Sequence, residues 1–167
     1  MRHLRLYSAL IVASVLVAAA CSSDSVTTEP SAAPSFATAS WSPSLAVCRT
    51  RSDSTVSKEI GWRGGSLSVN GNTLVIPRYA LSSPVTITMS QEKGINSAVD
   101  LQPEGLQFAI PASLTLDYSD CNIKQSPASI VYLNPAGTYD ELPSADNKAN
   151  LQVTAQLPHF SNYAVAW

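Results

Sequence analysis

Short runs of alternating apolar and polar residues follow one another from residue 45 to the C-terminus, and Gly, Pro or Asn stands in nearly every gap between them. Alternation of this kind has the period of a β-strand, whose side chains point in turn to opposite faces. Many of the apolar positions are β-branched, and no stretch of this part of the chain shows a persuasive helical period. The pattern predicts an all-β domain of short antiparallel strands, a sandwich or a barrel.

The runs on either side of Asn70-Gly71 carry a specific turn signal. A type I′ hairpin turn needs positive φ at both central residues, which Asn-Gly supplies. Counting outward from the turn pairs Val69 with Asn72 and Leu67 with Leu74, which puts four apolar side chains on one face. They are Leu67, Val69, Leu74 and Ile76. Further strands are predicted at Val85–Met89, Ala112–Tyr118, Ser129–Leu133, Leu151–Leu157 and Ser161–Trp167.

The first 20 residues have the three parts of a secretory signal: a basic start, an apolar run over Leu6–Val17, and three alanines before Cys21. The run is shorter than the roughly 20 residues that a membrane-spanning helix needs. Small residues followed by Cys21 resemble the lipobox of bacterial lipoproteins. The resemblance implies that residues 1–20 are removed, that Cys21 carries diacylglycerol, and that the new amino terminus is acylated, for example with palmitate. An ordinary signal peptide with an incidental Cys is the alternative.

The same resemblance indicates where the protein resides. Several acyl chains, at about 0.8 kcal/mol per buried methylene, make a durable membrane anchor. In Gram-negative cells an Asp directly after the lipidated Cys retains a lipoprotein in the inner membrane. Ser22 occupies that position here, so we expect the outer membrane, with the domain in the periplasm or elsewhere in the cell envelope.

Residues 21–45 read as a flexible linker. From Ser22 to Ser44, 18 of 23 residues are Ser, Thr, Ala or Pro, which cannot bury enough apolar area to offset their ordering entropy. The expected span is on the order of 25 Å. Glycosylation of the Ser and Thr residues is an alternative use of this segment. The folded domain is then expected over residues 46–167.

Charge and histidine content exclude several classes of function. After residue 20 the chain holds eight basic and twelve acidic residues, a formal charge of −4, and no Lys/Arg cluster. This argues against nucleic acid as a partner. His159 is the single histidine that remains, so a multi-histidine metal site is excluded.

Cys48 and Cys121 are a pair in the exported part of the chain. In an oxidising compartment two such residues most simply form one disulfide, which would close a loop of about 70 residues and contribute roughly 4 kcal/mol. Two free buried thiols or a metal site are the alternatives, although two Cys and one distant His lack the spacing of a zinc site.

Several short Gly and Pro motifs occur in the order of the ZU-five domain, which zonula occludens scaffolds, netrin receptors and ankyrins share with bacterial surface proteins. They are Gly61–Val69, Leu74–Leu81, Val85–Thr88, Pro103–Phe108 and Pro111–Tyr118. Residues 60–167 resemble this family, except that Tyr79 stands where its Pro-x-Gly-Ala motif has Gly. The resemblance implies an antiparallel β-sandwich, a protein partner in the envelope and no cofactor.

His159-Phe160-Ser161 is similar to the sequence at which some relatives of that family cleave themselves. The resemblance implies that Ser161 is the nucleophile, that His159 activates its hydroxyl, and that the Phe160–Ser161 bond is broken by an N-to-O acyl shift. Residues two apart in a strand are about 6.6 Å apart, so the chain must kink at Phe160. The alternative is structural: the motif begins the last strand, whose inner face is Tyr163, Val165 and Trp167.

Two other kinds of site find less support. A Ser/His/Asp triad with His159 needs Asp117 or Asp140 close in space, and the acids around Asp120 and Glu141 lack the spacing of a calcium loop. We therefore expect a membrane-anchored envelope lipoprotein with a non-enzymatic interaction or structural domain. A self-processing domain is the alternative.

Overall fold

The computed structural model describes residues 45–123 and 127–167, and the regular structure in these ranges is all β-strand. In chain order the strands are β1 Val47–Arg51, β2 Ser54–Ile60, β3 Gly65–Val69, β4 Asn72–Ile76, β5 Val85–Gln91, β6 Gly94–Asn96, β7 Ala98–Gln102, β8 Gln107–Asp117, β9 Ser129–Leu133, β10 Tyr139–Leu142, β11 Ser144–Asn147, β12 Gln152–His159 and β13 Asn162–Ala166. The predicted signal segment, Cys21 and all but the last residue of the linker lie outside the described residues. Within those ranges no helix is long and apolar enough to cross a membrane.

Two antiparallel sheets form the sandwich. The six-stranded sheet has the order β10-β9-β13-β7-β5-β2 and the five-stranded sheet the order β11-β12-β8-β4-β3, while β1 and β6 form a separate pair. Buried side chains of both sheets, such as Leu74 and Leu114 from one and Ile87 and Leu101 from the other, belong to one hydrophobic cluster. The predicted antiparallel β-sandwich is confirmed.

The hairpin predicted at Asn70-Gly71 is confirmed. β3 and β4 pair in the expected register, with Leu67 opposite Leu74. The φ angle is 47° at the Asn and 83° at the Gly, the sign that the turn requires at both positions. The four apolar side chains expected on one face are each at most 5% exposed. Local alternation and turn chemistry therefore determine this part of the core.

β13 is buried on both of its faces. It lies between β9 and β7 in the six-stranded sheet; one face packs into the main core and the other joins a second small cluster that includes Leu45. Tyr163 and Val165 take the inner face, as predicted. Trp167 does not: it lies beyond the end of the strand and is 40% exposed, so its predicted place in the core is wrong.

The strand directions divide the turns between two ends of the sandwich. β5 and β13 are both antiparallel to β7, which lies between them, so they begin at the same end. The β2–β3 turn, the β4–β5 loop and the β12–β13 junction share this end, which we call the far end. The described chain enters at the opposite end, where Leu45 pairs with Ala166 and Cys48 pairs with Cys121. We call this the entry end.

Candidate functional site

The predicted self-cleavage motif lies at the junction of β12 and β13. These strands end and begin on either side of Phe160 and Ser161, which are both buried and lie outside the strands. The Phe160 N–H donates to the Leu106 carbonyl oxygen at 3.0 Å, and the Phe160 carbonyl oxygen accepts from the Gly105 N–H at 2.9 Å. The turn that precedes β8 therefore holds Phe160 through both of its backbone polar groups.

His159 approaches the same carbonyl group. Its Nδ1 lies 3.2 Å from the Phe160 carbonyl oxygen, which the Gly105 N–H also reaches. If the Ser161 hydroxyl attacked the Phe160 carbonyl carbon, negative charge would develop on this oxygen, and preorganised donors about 3 Å away stabilise such charge. With a proton on Nδ1 the imidazole would polarise the carbonyl, whereas the predicted role of His159 is to activate the Ser161 hydroxyl.

Aromatic rings surround the motif. The Phe160 ring packs edge-to-face on Phe108 with 5.0 Å between centroids, and the Tyr132 ring packs edge-to-face on the His159 imidazole at 5.2 Å. The Tyr163 hydroxyl donates to the His159 carbonyl oxygen at 2.5 Å. Burial raises the pKa of Tyr163, so its hydroxyl stays protonated and remains a donor. These contacts pack the motif against β8, β9 and β13.

The two aspartates considered for a triad are not brought to His159. Asp140 lies opposite Tyr132 in the β9–β10 pair, and its hydrogen bond is the main cause of the raised pKa of the Tyr132 hydroxyl. Asp117 contacts Arg51 at the entry end. Tyr132, rather than a carboxylate, therefore lies against the His159 ring.

Cys48 and Cys121 have their Sγ atoms 1.95 Å apart, the separation of a disulfide-bonded pair. The carboxylates of Asp117 and Asp120 both contact the Arg51 guanidinium. Bonded sulfurs offer no thiolate to a metal ion, and the acids have a cationic partner. Of the alternatives for these cysteines, the structure supports the disulfide.

A buried polar group at the entry end was not predicted. The Asn72 side chain donates to Gln91 Oε1 at 3.0 Å and accepts from the Asp117 N–H at 2.9 Å. Within the described ranges, Gln91 Nε2 and Arg51 Nε are buried without a protein acceptor, and a cavity of about 320 Å³ lies beside these residues. Buried donors of this kind are usually satisfied by ordered water. The network joins the two sheets where the core ends.

A second feature that was not predicted is exposed at the far end. Trp62 and Arg63 from the β2–β3 turn meet Arg78 and Tyr79 from the β4–β5 loop. The two rings stack with 5.9 Å between centroids and 25° between planes. The Arg63 guanidinium carbon lies 5.2 Å from the Trp62 centroid, and that of Arg78 lies 5.8 Å from Trp62 and 5.5 Å from Tyr79. We call these four residues the aromatic–arginine surface.

The local sequence indicates the residue types of this surface but not the contact between its two loops. Each of the two loops pairs an aromatic residue with an arginine next to a strand end, but nothing in the spacing shows that the loops meet. Tyr79 has a φ of 66°, the left-handed conformation that favours Gly. Tyr79 is therefore a residue that the backbone conformation at this position does not favour.

The fold and the cysteine pair define the described part of the chain as a disulfide-bonded antiparallel β-sandwich domain. A scan of the sequence against protein-family models matches none of them, and a search of curated proteins finds no relative. The ZU-five resemblance, drawn from short motifs, therefore stays a prediction.

Proposed function

We propose that this chain is a lipid-anchored protein of the bacterial cell envelope, and that its β-sandwich is a non-enzymatic interaction domain. The observation that carries the proposal is the aromatic–arginine surface. Trp62 is 45% exposed and Tyr79 is 62% exposed, and they stand together at the end of the domain opposite to the chain entry. Trp, Tyr and Arg are the residues that most often dominate binding surfaces.

The anchor in this proposal is Cys21. Its support is the signal-like segment 1–20, the lipobox resemblance and the Ser22 that follows, which favours the outer membrane. The Cys48–Cys121 pair supports export, because disulfides persist in oxidising compartments such as the periplasm. The proposed protein partner lies in the same compartment.

We expect cells grown with a labelled fatty acid to label the wild-type chain and not Cys21→Ser, because the Cys21 thiol would be the attachment point for diacylglycerol. The readout is the label on the purified chain after removal of free lipid. Cys121→Ser is the matched control, since it removes a different cysteine and leaves the lipobox intact. Undiminished label in Cys21→Ser would contradict the anchor.

A second proposal is self-cleavage at Phe160–Ser161, and the specific observation in its favour is the contact of Gly105 and His159 with the Phe160 carbonyl oxygen. The Ser161 oxygen would attack the carbonyl carbon while His159 takes up the hydroxyl proton, the role that the family resemblance implies. Collapse of the oxyanion would break the C–N bond and leave an ester, and the proton from His159 would pass to the departing nitrogen to give the free Ser161 amine. Water would then hydrolyse the ester to a Phe160 carboxylate and the free hydroxyl.

Intact mass under denaturing conditions separates the two proposals. A non-enzymatic domain gives one mass, whereas self-cleavage gives a shorter species and a fragment of residues 161–167. Denaturant is needed because β13 lies between β9 and β7, which would retain the fragment. In the self-cleavage case Ser161→Ala restores the single mass, whereas Ser97→Ala, which alters another buried serine, does not. A single full-length mass for the wild type would exclude self-cleavage.

A further inference from the structure

The aromatic–arginine surface is held in place by the backbone. The Tyr79 N–H donates to the Trp62 carbonyl oxygen at 2.8 Å, which ties the β4–β5 loop to the β2–β3 turn. The turn itself is closed by a hydrogen bond from the Gly64 N–H to the Gly61 carbonyl oxygen at 2.9 Å. A surface that is already ordered loses little conformational entropy when it binds a ligand.

Tyr79 occupies its position at a cost to folding. An L-residue with a φ of 66° is strained, because Cβ comes close to the carbonyl oxygen that follows. The ring is 62% exposed, so burial recovers little of this cost. Glycine would adopt the same backbone without strain. Backbone strain of this kind occurs at ligand-binding sites, and here it falls on an exposed aromatic residue at the centre of the surface.

The two arginines have charge available for a ligand. Both ion pairs of the described residues involve Arg51, so neither Arg63 nor Arg78 has a carboxylate partner there. Their guanidinium groups lie over the rings of Trp62 and Tyr79, an arrangement that orients the N–H groups. A guanidinium matches a carboxylate with two parallel hydrogen bonds. The surface is therefore complementary to acidic groups, although the whole chain has a formal charge of −2.

The position of the aromatic–arginine surface at the far end of the domain limits the ligands that it can reach. The linker predicted over residues 21–45 joins the domain at the entry end, where Leu45 pairs with Ala166. A tether at that end favours orientations in which the far end points away from the anchoring bilayer. A ligand of the far end is then expected among the polymers that lie beyond the membrane surface.

We propose that the aromatic–arginine surface binds a saccharide polymer that bears carboxylate groups. The apolar C–H groups of a sugar ring would pack on the exposed part of the Tyr79 ring, and the carboxylates would pair with Arg63 and Arg78. The rings stand on exposed loops, and an open platform suits an extended chain, whereas small molecules are usually bound in concave sites. This inference rests on the proposed function for the place of the domain in the envelope, and it assigns the surface to a saccharide in place of a protein partner.

Binding of an oligogalacturonate to the purified full chain tests the proposal, with a neutral malto-oligosaccharide of the same length for comparison. We expect the acidic oligosaccharide to bind more tightly and its affinity to fall as salt is added. Tyr79→Gly should weaken binding on the order of tenfold, since it removes a central aromatic side chain. The same variant should raise the midpoint of thermal unfolding by a few degrees, because it removes the strain at positive φ.

Leu151→Gly is the matched control. Leu151 also has positive φ, 54°, and is 41% exposed, but it lies in the turn before β12, at the entry end. We expect this variant to raise the unfolding midpoint and to bind like the wild type. Arg63→Gln combined with Arg78→Gln keeps the rings, and should remove most of the salt dependence of binding.

Three results would overturn the saccharide proposal. They are wild-type affinity in Tyr79→Gly, equal affinity for the acidic and neutral oligosaccharides, and binding to mixed phosphatidylglycerol and phosphatidylcholine vesicles without binding to oligogalacturonate. The labelling of Cys21 reports on the proposed function separately. Label on Cys21 without saccharide binding would support the lipid anchor and contradict the saccharide proposal. Saccharide binding without label on Cys21 would support the saccharide proposal and contradict the lipid anchor.

Discussion

Replacing Cys48 and Cys121 together by Ala is expected to lower the free energy of unfolding by about 4 kcal/mol. The two residues are 73 positions apart, so the cross-link removes much of the chain entropy that the unfolded state would otherwise have. It also attaches β1, whose strand partner is the short β6, to the segment that follows β8. Denaturant unfolding of the variant and the oxidised wild type measures the difference.

Reduction provides the control for this result. The wild type with the disulfide reduced should unfold at the same denaturant concentration as the double variant, and added reductant should leave the double variant unchanged. Two backbone hydrogen bonds flank the cross-link, from Arg49 to Asp120 and from Asn122 to Val47, so the folded state should keep this contact without the sulfurs. Equal unfolding midpoints for the oxidised wild type and the variant would contradict the prediction.

The hairpin and the strands of the core could be predicted because their signals are local. Asn70-Gly71 specifies its own turn, and the apolar alternation around it then determines which side chains are buried. All seven predicted strands are present, with bounds that differ at some ends by a few residues. β8 is the largest difference: it begins at Gln107 rather than Ala112, and this extension is mostly exposed, so alternating burial gives no signal for it.

Five of the six strands that were not predicted lack such a signal; the sixth, β7, does alternate, with Val99 and Leu101 buried. β10 and β11 are edge strands without a fully buried residue, and β6 has three residues. In β2, Ser54–Ile60, the last residue is the one that is fully buried, so its sequence resembles a polar loop. β2 and β6 are strands because partners distant in sequence pair with them, which the sequence of one segment does not show, whereas β10 and β11 pair with the strands next to them in the chain.

The candidate sites also differ in whether their residues are contiguous in the sequence. His159, Phe160 and Ser161 are contiguous, so they could be identified from the sequence as a motif. Gly105 reaches the Phe160 carbonyl from 55 residues earlier in the chain, and nothing in the sequence connects the two. The aromatic–arginine surface depends on a contact between two loops, so it could not be predicted from the sequence and required the fold.

Gly64→Ala is expected to lower the free energy of unfolding by about 3 kcal/mol, because two costs combine at this position. Gly64 has a φ of 70°, which an L-residue adopts with strain. A Cβ added there would lie 2.4 Å from the Ile76 carbonyl oxygen and 2.7 Å from the Pro77 carbonyl carbon, and both are backbone atoms that cannot rotate away. Denaturant unfolding of the variant measures the sum of the two costs.

Gly137→Ala separates the strain from the clash. Its φ is 78°, but a Cβ there would meet nothing within 4 Å, so we expect a loss of about 1 kcal/mol. The additional loss in Gly64→Ala is then the cost of moving the β2–β3 turn away from β4. Because that turn carries Trp62, the displacement should also break the stack with Tyr79 and weaken binding at the aromatic–arginine surface, while Gly137→Ala leaves binding unchanged. Equal losses of stability in the two variants would show that the turn relaxes without cost. They would contradict the inference that the close contact at Gly64 positions the aromatic–arginine surface.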